Sequence, residues 1–297
     1  MTMNNIKSSK LLSCEASKLL LTGSGGFIGS NLKRHLQYKY NLLTPRSYEL
    51  DLTDKSAVEK YFQDNDVDFI IHCGSIGGAR GIEDSATTIK DNVAMVENLI
   101  SAKKDDVRII LFGSGAMYGK SRKLHKVREE EIGEFTPEDL YGLSKLKISD
   151  IVKKRDDILM LNIFGCYGYG EKESRFPTYA ITQNLKHEPI VINNDVIFDY
   201  LFVEDMSRIV EYFIIHKNYD KIINITPSES ISLVEIARGV NAISDFKSDI
   251  VVKSVNPNGE YTGCNKILMS NYPELEFTPI NTGLEKLYNY IKSRSLV

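Results

Sequence analysis

Three residues in the middle of the chain carry groups suited to proton transfer at a carbonyl oxygen. Tyr141 and Lys145 stand four residues apart, so they lie on one face if the segment is helical. A neighbouring ammonium favours phenolate over phenol, which can bring an acid with a pKa of about 10 into use near neutral pH. We therefore interpret Tyr141 as a catalytic acid or base, and Ser114 as a hydrogen-bond donor to the reacting oxygen.

A glycine-rich stretch near the start of the chain has the spacing of a phosphate-binding loop. An apolar run leads into Gly23, Gly26 and Gly29, and the residues after them are typical of a helix. Such glycines let the backbone turn and approach a pyrophosphate, while free amides of the helix's first turn face the anion. A flexible turn is the alternative. The flanking strand and helix favour a dinucleotide site, with contacts from Gly23, Gly26, Phe27 and Ile28.

Strand-like and helix-like runs alternate over the first 165 residues and position these motifs. Apolar strands separated by helices indicate an α/β fold with a parallel sheet covered on both faces. The predicted strands are 18–22, 40–44, 67–73, 107–112 and 158–163, and the predicted helices are 31–36, 55–63, 87–104 and 137–153. Ser114 follows strand 107–112 at its carboxyl end, where open parallel sheets carry their sites.

The alternation changes after residue 165, where we predict a second, smaller α/β region. Its predicted strands are 190–193, 200–203 and 222–225, its predicted helices are 176–186, 203–216 and 283–292, and a capping box from Ser232 to Glu235 opens a further helix. We expect residues 1–17 to be a disordered leader and residues 18–165 to bind the dinucleotide. Segments near 195–226 return to that domain, and residues 166–297 mainly form a substrate-binding domain.

The composition restricts the class of protein. The net charge of -3 and the 26% of charged residues point to neither a nucleic-acid nor a membrane-surface partner, and no apolar run approaches a membrane span. The four cysteines are scattered, which fits reduced thiols and a cytoplasmic location. The five histidines lack ligand spacing, so we expect no metal site.

The second predicted strand bears on the choice of dinucleotide. Chains that prefer NAD commonly end this strand in an acidic residue that binds the adenosine ribose. Here residues 40–44 end without an acid, and Arg46 follows, whose guanidinium suits a 2′-phosphate. We predict NADP(H); NAD(H) is the alternative if Arg46 is an ordinary surface residue. Asp51 and Leu52 are expected at the adenine side of the site.

Together these motifs resemble the extended short-chain dehydrogenase/reductase family, also called the NAD-dependent epimerase/dehydratase family, from Lys18 onward. The resemblance implies a Rossmann domain with a doubly wound parallel sheet, a smaller C-terminal α/β substrate-binding domain, a nucleotide-sugar substrate and a homodimer. It implies cofactor contacts from Cys73, Asn92, Tyr141, Lys145 and Phe164, and substrate contacts from Ser75, Ser114, Ala116, Gly165 and Arg175.

Within the family, the stretch from Pro45 to Leu52 is similar to GDP-fucose synthase and related 4-keto-sugar reductases. The 4,6-dehydratases carry Asp-Glu where this chain has Gly115 and Ala116, so dehydration is not expected. GDP-fucose synthase carries an epimerising cysteine in place of Ala116 and a histidine near Ser174. Neither group is present here, so no epimerisation at C3 or C5 is expected; Cys166 as a substitute base is the alternative.

Two further departures concern the substrate. Phe198 stands where many relatives carry an arginine on the substrate pyrophosphate, and Gly165 stands where many carry asparagine. Arg175, Lys172 or Lys186 are the alternatives for the missing charge, unless all three are ordinary surface residues. Our hypothesis is an NADP-dependent reductase of a nucleotide-activated 4-keto-(6-deoxy) sugar, of use in polysaccharide biosynthesis. A nucleotide-sugar 4-epimerase with tightly bound NAD is the first alternative. A non-catalytic cofactor sensor is the second, and it would have no use for an acid such as Tyr141.

Overall fold

A computed structural model describes residues 17–79, 81–217 and 219–295, so the predicted leader lies, except for Ser17, outside the described residues. The strands are β1 Lys18–Thr22, β2 Asn41–Leu43, β3 Phe69–His72, β4 Arg108–Ser114, β5 Leu124–Val127, β6 Ile158–Ile163, β7 Gly165–Tyr167, β8 Ile190–Ile192, β9 Asp195–Phe198, β10 Tyr200–Phe202, β11 Ile222–Ile225, β12 Ile231–Ser232, β13 Ile250–Val252 and β14 Val255–Gly263. The helices are α1 Phe27–Leu36, α2 Lys55–Asp64, α3 Thr88–Ala102, α4 Leu140–Val152, α5 Phe176–Leu185, α6 Val203–Ile215, α7 Leu233–Ile243, α8 Lys266–Asn271 and α9 Ile280–Ser295.

A six-stranded parallel sheet in the order β2-β1-β3-β4-β6-β11 forms the centre of the molecule. Successive side chains of these apolar strands point to opposite faces of the sheet, so both faces are apolar and both are covered by helices. Leu20 belongs to a core with α2, α3 and α4, whereas Leu19 and Leu21 belong to a second core with α1 and α6. The predicted α/β fold with a doubly wound parallel sheet is confirmed.

The strand order reverses beside β1, with β2 on one side and β3 on the other. At such a point the segments that leave neighbouring strands diverge and open a crevice at the carboxyl edge of the sheet. Gly23 follows β1, Cys73 follows β3, and Ser114 ends β4. The topology therefore brings the glycine loop and the catalytic serine to the same edge.

The later part of the chain packs around a third core that includes Tyr167, Ile181, Ile236 and Leu284. Small sheets of the orders β12-β9-β14-β5, β7-β10 and β8-β13 surround it, whereas β11 belongs to the central sheet. The division of the chain into domains at residue 165 stays a prediction. No helix among the described residues is long and apolar enough to span a membrane.

Some elements carried no periodic signal in the sequence. Strand β5 is Leu-His-Lys-Val, and it exists because β14 pairs with it, Tyr261 opposite Leu124. Helix α4 begins at Leu140, later than the predicted Pro137, because the Asp139 side chain accepts a hydrogen bond from Gly142 N at 2.8 Å and caps the helix there.

Candidate active site

A cavity of about 920 Å³ opens at the carboxyl edge of the central sheet. Ten of the predicted site residues line it, namely Phe27, Ile28, Cys73, Ser75, Ser114, Tyr141, Lys145, Phe164, Gly165 and Arg175. The structure thus brings together the serine, the phenol and the ammonium with the start of the glycine-loop helix. A cavity of this volume is large enough for a whole small-molecule ligand or cofactor.

Ser114 is the last residue of β4 and the cap of a short 3-10 turn from Gly115 to Tyr118. Its Oγ accepts a hydrogen bond from Ala116 N at 3.2 Å. The same hydroxyl acts to lower the pKa of the Tyr141 and Tyr261 phenols, as a group that donates toward a phenolate does. Ser114 therefore influences the acidity of two tyrosines.

A carboxylate from a distant loop fixes the start of the helix that carries Tyr141. Asp84 Oδ2 accepts from Tyr141 N at 2.8 Å, and Asp84 Oδ1 accepts from Gly78 N at 2.7 Å. Gly78 has a φ of +70°, and a Cβ there would lie 2.8 Å from the Tyr141 ring. The loop after β3 therefore lies directly on the catalytic ring. Asp84 stands in a polar loop without any motif, so nothing in the sequence alone marks it as a site residue.

The acidity of Tyr141 differs from the expectation. Burial raises its pKa above the ordinary value, while hydrogen bonds from Ser114 and Ser75 and the charge of Arg175 act in the opposite direction. Lys145 is not among the groups that lower the pKa of Tyr141, and the net shift is upward because a buried phenolate loses its hydration. At neutral pH Tyr141 is a protonated phenol, the form that a proton donor requires.

Lys145 lies one helical turn after Tyr141, with its Nζ 5.5 Å from the centre of that ring. The ammonium donates to Phe112 O at 3.0 Å. Burial lowers the pKa of Lys145 to about 8, and the neighbouring Cys73 acts weakly in the other direction. Lys145 therefore remains mostly charged at neutral pH and supplies positive potential beside the phenol.

The glycine loop has the geometry of an anion cradle. Gly23 has a φ of +68°, and a Cβ there would lie 2.6 Å from Gly74 N, so the loop packs tightly on the residues after β3. A Cβ on Gly29 would overlap the Gly23 carbonyl oxygen. Helix α1 has Gly26 as its cap, without a side-chain cap or an acid in its first turn. Its first amides are thus available to a pyrophosphate, and the loop fits a dinucleotide.

Arg46 lies outside the cavity lining but against the same loop. A Cβ on Gly25 would overlap the Arg46 guanidinium, so this cation lies directly over the glycine loop. Asp51 is exposed and accepts from Thr53 N at 2.9 Å and Thr53 Oγ1 at 2.7 Å, while Leu52 is buried in the core. The geometry supports a role for Arg46, and the cofactor contacts of Asp51 and Leu52 stay predictions.

Two predicted contact residues face the protein interior. The Asn92 side chain accepts from Ile76 N at 2.8 Å and donates to Ile76 O at 2.9 Å and Ser144 Oγ at 3.1 Å. It therefore ties the loop after β3 to α4 and is not presented to the cavity. Ala116 is 1% exposed, and it too does not line the cavity. Both side chains act through packing in this chain, because their neighbours already surround them.

Comparison with known proteins agrees with this architecture. Over 92% of its length the chain is 25% identical to GDP-L-colitose synthase from Yersinia pseudotuberculosis, of which 97% is covered. Its fold is similar to GDP-mannoheptose C4 reductase from Campylobacter jejuni with NADP bound, at a TM-score of 0.83 and 19% identity, over 93% of this chain and 98% of that one. It is also similar to a GDP-L-fucose synthetase from Naegleria fowleri bound to NADP, at a TM-score of 0.82 and 15% identity, over 100% and 99% of the two chains.

The profile of the NAD dependent epimerase/dehydratase family matches residues 19–226, which is most of the chain. This stretch contains the glycine loop, Ser114, Tyr141 and Lys145, the residues on which the resemblance rests. The chain belongs to the NAD dependent epimerase/dehydratase family and is an NAD(P)-dependent oxidoreductase.

Proposed function

We propose that this enzyme is an NADP-dependent reductase that acts at C4 of a nucleotide-activated 4-keto-(6-deoxy) sugar. The observation that carries the proposal is the convergence of Ser114, Tyr141 and Lys145 in one cavity beside the glycine loop. Proton donor, oxyanion donor and cation lie together at the edge of the sheet where the cofactor loop also ends. A ketone whose oxygen lies between Ser114 and Tyr141 meets the groups that its reduction requires.

The chemistry divides simply between cofactor and protein. When bound, the dinucleotide supplies the hydride that reduces C4. Tyr141 donates its phenolic proton to the C4 oxygen, and Ser114 hydrogen-bonds the same oxygen as negative charge develops there. Lys145 would hold the cofactor ribose and, as a buried cation near the ring, would stabilise the phenolate that remains on Tyr141.

The choice of NADP rests on Arg46. Its guanidinium lies over the glycine loop at Gly25, where the phosphates of a dinucleotide approach the backbone. An arginine presents several donors in a plane and suits a 2′-phosphate. Both structural neighbours described above were solved with NADP.

The substrate diphosphate needs a cation because Phe198 occupies the place of the arginine found in many relatives. Arg175 lines the cavity at the cap of α5, and no carboxylate of the described residues forms an ion pair with it. The other surface cations of the cavity are already paired, Lys120 with Asp139, Arg122 with Glu131 and Lys123 with Glu260. Arg175 is therefore the proposed ligand of the diphosphate. The names of the relatives make a GDP-linked sugar the first to test.

The same geometry supports reduction without epimerisation at C3 or C5. Ala116 is buried, and Ser174 is exposed and outside the cavity lining, so neither position offers an acid or base to the sugar. Cys166 does line the cavity. Burial, together with Glu171 and Asp205, raises the pKa of its thiol far above the ordinary value, which leaves it a poor base.

The direct test is the loss of NADPH absorbance with a panel of nucleotide-linked 4-keto sugars, with a GDP-linked 4-keto-6-deoxy sugar first. We expect turnover with at least one of them and release of oxidised cofactor. Enzyme that is purified with tightly retained NAD, and that interconverts C4 epimers without added cofactor, would identify the 4-epimerase instead. If none of the sugars is turned over, the proposal that the enzyme is a reductase is refuted.

A further inference from the structure

Two aromatic rings from the later region form one side of the cavity. Tyr261 of β14 and Phe198 of β9 lie opposite each other in register, and their ring centroids are 5.7 Å apart. Both side chains line the cavity, and we call this pair the aromatic wall. Strands β9 and β14 are the two inner strands of the sheet β12-β9-β14-β5, so pairing on both sides holds the wall in place.

One end of the aromatic wall lies beside the catalytic serine. A Cβ on Gly115 would lie 2.6 Å from the Tyr261 hydroxyl oxygen, and Gly115 directly follows Ser114 in the chain. The Tyr261 ring also packs against the Phe164 ring, at a centroid distance of 5.4 Å. The polar atom of the Tyr261 side chain is thus at the serine turn, whereas the Phe198 side chain has only carbon to offer the cavity.

The position of the aromatic wall determines which part of the substrate it meets. A sugar ketone whose oxygen lies at Ser114 has its C4 there, and the adjacent C5 carries the exocyclic carbon C6, which projects from the ring. The nucleoside is separated from C4 by the rest of the sugar ring and by two phosphates. The part of the substrate next to the wall is therefore the sugar, at its C5–C6 edge.

We propose that Phe198 is a specificity-determining residue, and that the aromatic wall contacts C6 of the sugar and favours a methyl group there over a hydroxymethyl group. A methyl group gains apolar contact with the Phe198 ring. A hydroxyl at the same place loses its hydration and finds no donor or acceptor on that ring. The inference rests on the proposed function, and it gives a use to the residue that stands where many relatives carry an arginine.

The affinities of two matched sugars test this specificity without turnover. In the presence of oxidised NADP, calorimetry gives Kd for a GDP-linked hexose and for its 6-deoxy counterpart of the same configuration, both with a hydroxyl at C4. We expect the wild type to bind the 6-deoxy sugar at least about tenfold more tightly, because apolar pockets discriminate by about ten- to a hundredfold against one added hydroxyl.

One added oxygen atom in the wall should remove this preference. Phe198→Tyr keeps the ring and supplies a hydroxyl that can pair with the sugar's, so we expect the ratio of the two Kd values to fall below about threefold. Phe246→Tyr is the matched control, because Phe246 is also half-buried but stacks on His187 outside the cavity lining. This control should keep the wild-type ratio.

The outcomes separate the inference from the proposed function. Equal affinities of the wild type for the two sugars, or a preference that Phe198→Tyr leaves unchanged, would show the inference to be wrong. If neither GDP-linked sugar binds, the same pair linked to UDP, ADP or dTDP is measured, and absence of binding in every series also overturns it. A preference that Phe198→Tyr removes, in an enzyme that reduces no 4-keto sugar, supports the aromatic wall and refutes only the proposed function.

Discussion

Ser114, Tyr141 and Lys145 share one buried environment, and it affects each differently. Removal from water raises the pKa of the phenol and lowers that of the ammonium, so the acid keeps its proton while the cation stays close to its titration range. The serine hydroxyl does not titrate, and it accepts a backbone amide within its own turn. Such an arrangement suits an enzyme that gives up a proton only as negative charge develops on the substrate.

The role of Tyr141 predicts a specific loss. Tyr141→Phe should retain fold and cofactor binding but lose reduction by about 10²–10⁴-fold, because only the general acid is removed. Ser114→Ala should lose about 10²-fold, as for one oxyanion donor. Steady-state kinetics with NADPH and thermal denaturation of both variants provide the measurement. A Tyr141→Phe enzyme with full activity would mean that another group is the acid.

The position of Arg46 predicts the cofactor preference. The wild type should prefer NADPH over NADH by about ten- to a hundredfold, since one charge-assisted contact to the 2′-phosphate is gained. Arg46→Ala should lose most of that preference while its kcat with NADH stays close to the wild-type value. Kinetic constants with both cofactors give the ratio. Equal use of NADPH and NADH by the wild type contradicts the assignment.

At the scale of elements, the loop after β3 and the helix α4 form one unit around the Tyr141 ring. Asp84 joins Gly78 N to Tyr141 N, and Asn92 joins Ile76 to Ser144 at two further points. The first turn of α4 thus receives a carboxylate from its own Asp139 and another from the loop. We call the two hydrogen bonds that Asp84 accepts the Asp84 clamp. Carboxylates at a helix N-terminus are favourable on electrostatic grounds, so this clamp also stabilises the helix.

This clamp predicts an effect on catalysis from a residue that does not react. Asp84→Asn replaces one of the two accepting carboxylate oxygens by an NH2 group, which is a donor. One of the two backbone amides, Gly78 N or Tyr141 N, then faces another donor and loses its hydrogen bond. We expect kcat to fall at least tenfold, with a loss of about 1–3 kcal/mol in stability. The neighbouring Glu83→Gln is the matched control, because this exposed side chain touches neither amide. If Asp84→Asn keeps kcat within twofold of that control, the clamp does not position Tyr141.

At the scale of the whole molecule, the central sheet and the later region meet over the cavity. Ser114 and Tyr141 come from the sheet side, whereas Arg175 and Tyr261 come from chain beyond residue 165. The Glu171 carboxyl is buried nearby, with Oε2 accepting from Thr178 Oγ1 at 2.8 Å and Oε1 without a partner among the described residues.

The predicted homodimer stays a prediction.

The buried Glu171 predicts a dependence of stability on pH. Burial raises its pKa to about 8 in the folded chain, while the unfolded chain has an ordinary carboxyl. As pH rises from about 4.5 to 8, the unfolded state releases this proton first, so the folded state loses a few kcal/mol of relative stability. Glu171→Gln removes the titration. Its melting temperature relative to wild type should therefore rise between pH 5 and pH 9, and a constant difference would contradict the shifted pKa.

The lining of the cavity predicts the stereochemical outcome of the reaction. In deuterated water with unlabelled NADPH, the product should carry no carbon-bound deuterium at C3 or C5, because epimerisation requires two positioned acid/base groups at the ring. NMR of the product, compared with an enzyme-free control, gives the measurement. Deuterium at either carbon above the control would show that a group such as Cys166 acts as a base after all.

The sequence by itself determined the central sheet, the glycine loop and the catalytic trio. Apolar runs such as Ile158–Ile163, the spacing of Gly23, Gly26 and Gly29, and the four-residue step from Tyr141 to Lys145 are local signals. Local spacing determines backbone turns, helix faces and buried strands, and each of these is visible in a single stretch of chain. This is why the fold class and the neighbourhood of Ser114 were predictable.

Only the tertiary structure decided how the site is held and what sets its acidity. Asp84 accepts a hydrogen bond from Tyr141 N, and the Tyr261 hydroxyl lies against Gly115. Both contacts join distant segments, and nothing in the neighbouring sequence marks either residue. Strand β14 forms only beside β5 and β9, so its place over Gly115 follows from pairing. The raised pKa of Tyr141 likewise depends on burial, which is a property of the assembled fold. Long-range packing therefore determined which residues hold the catalytic side chains in place and what sets the pKa of Tyr141.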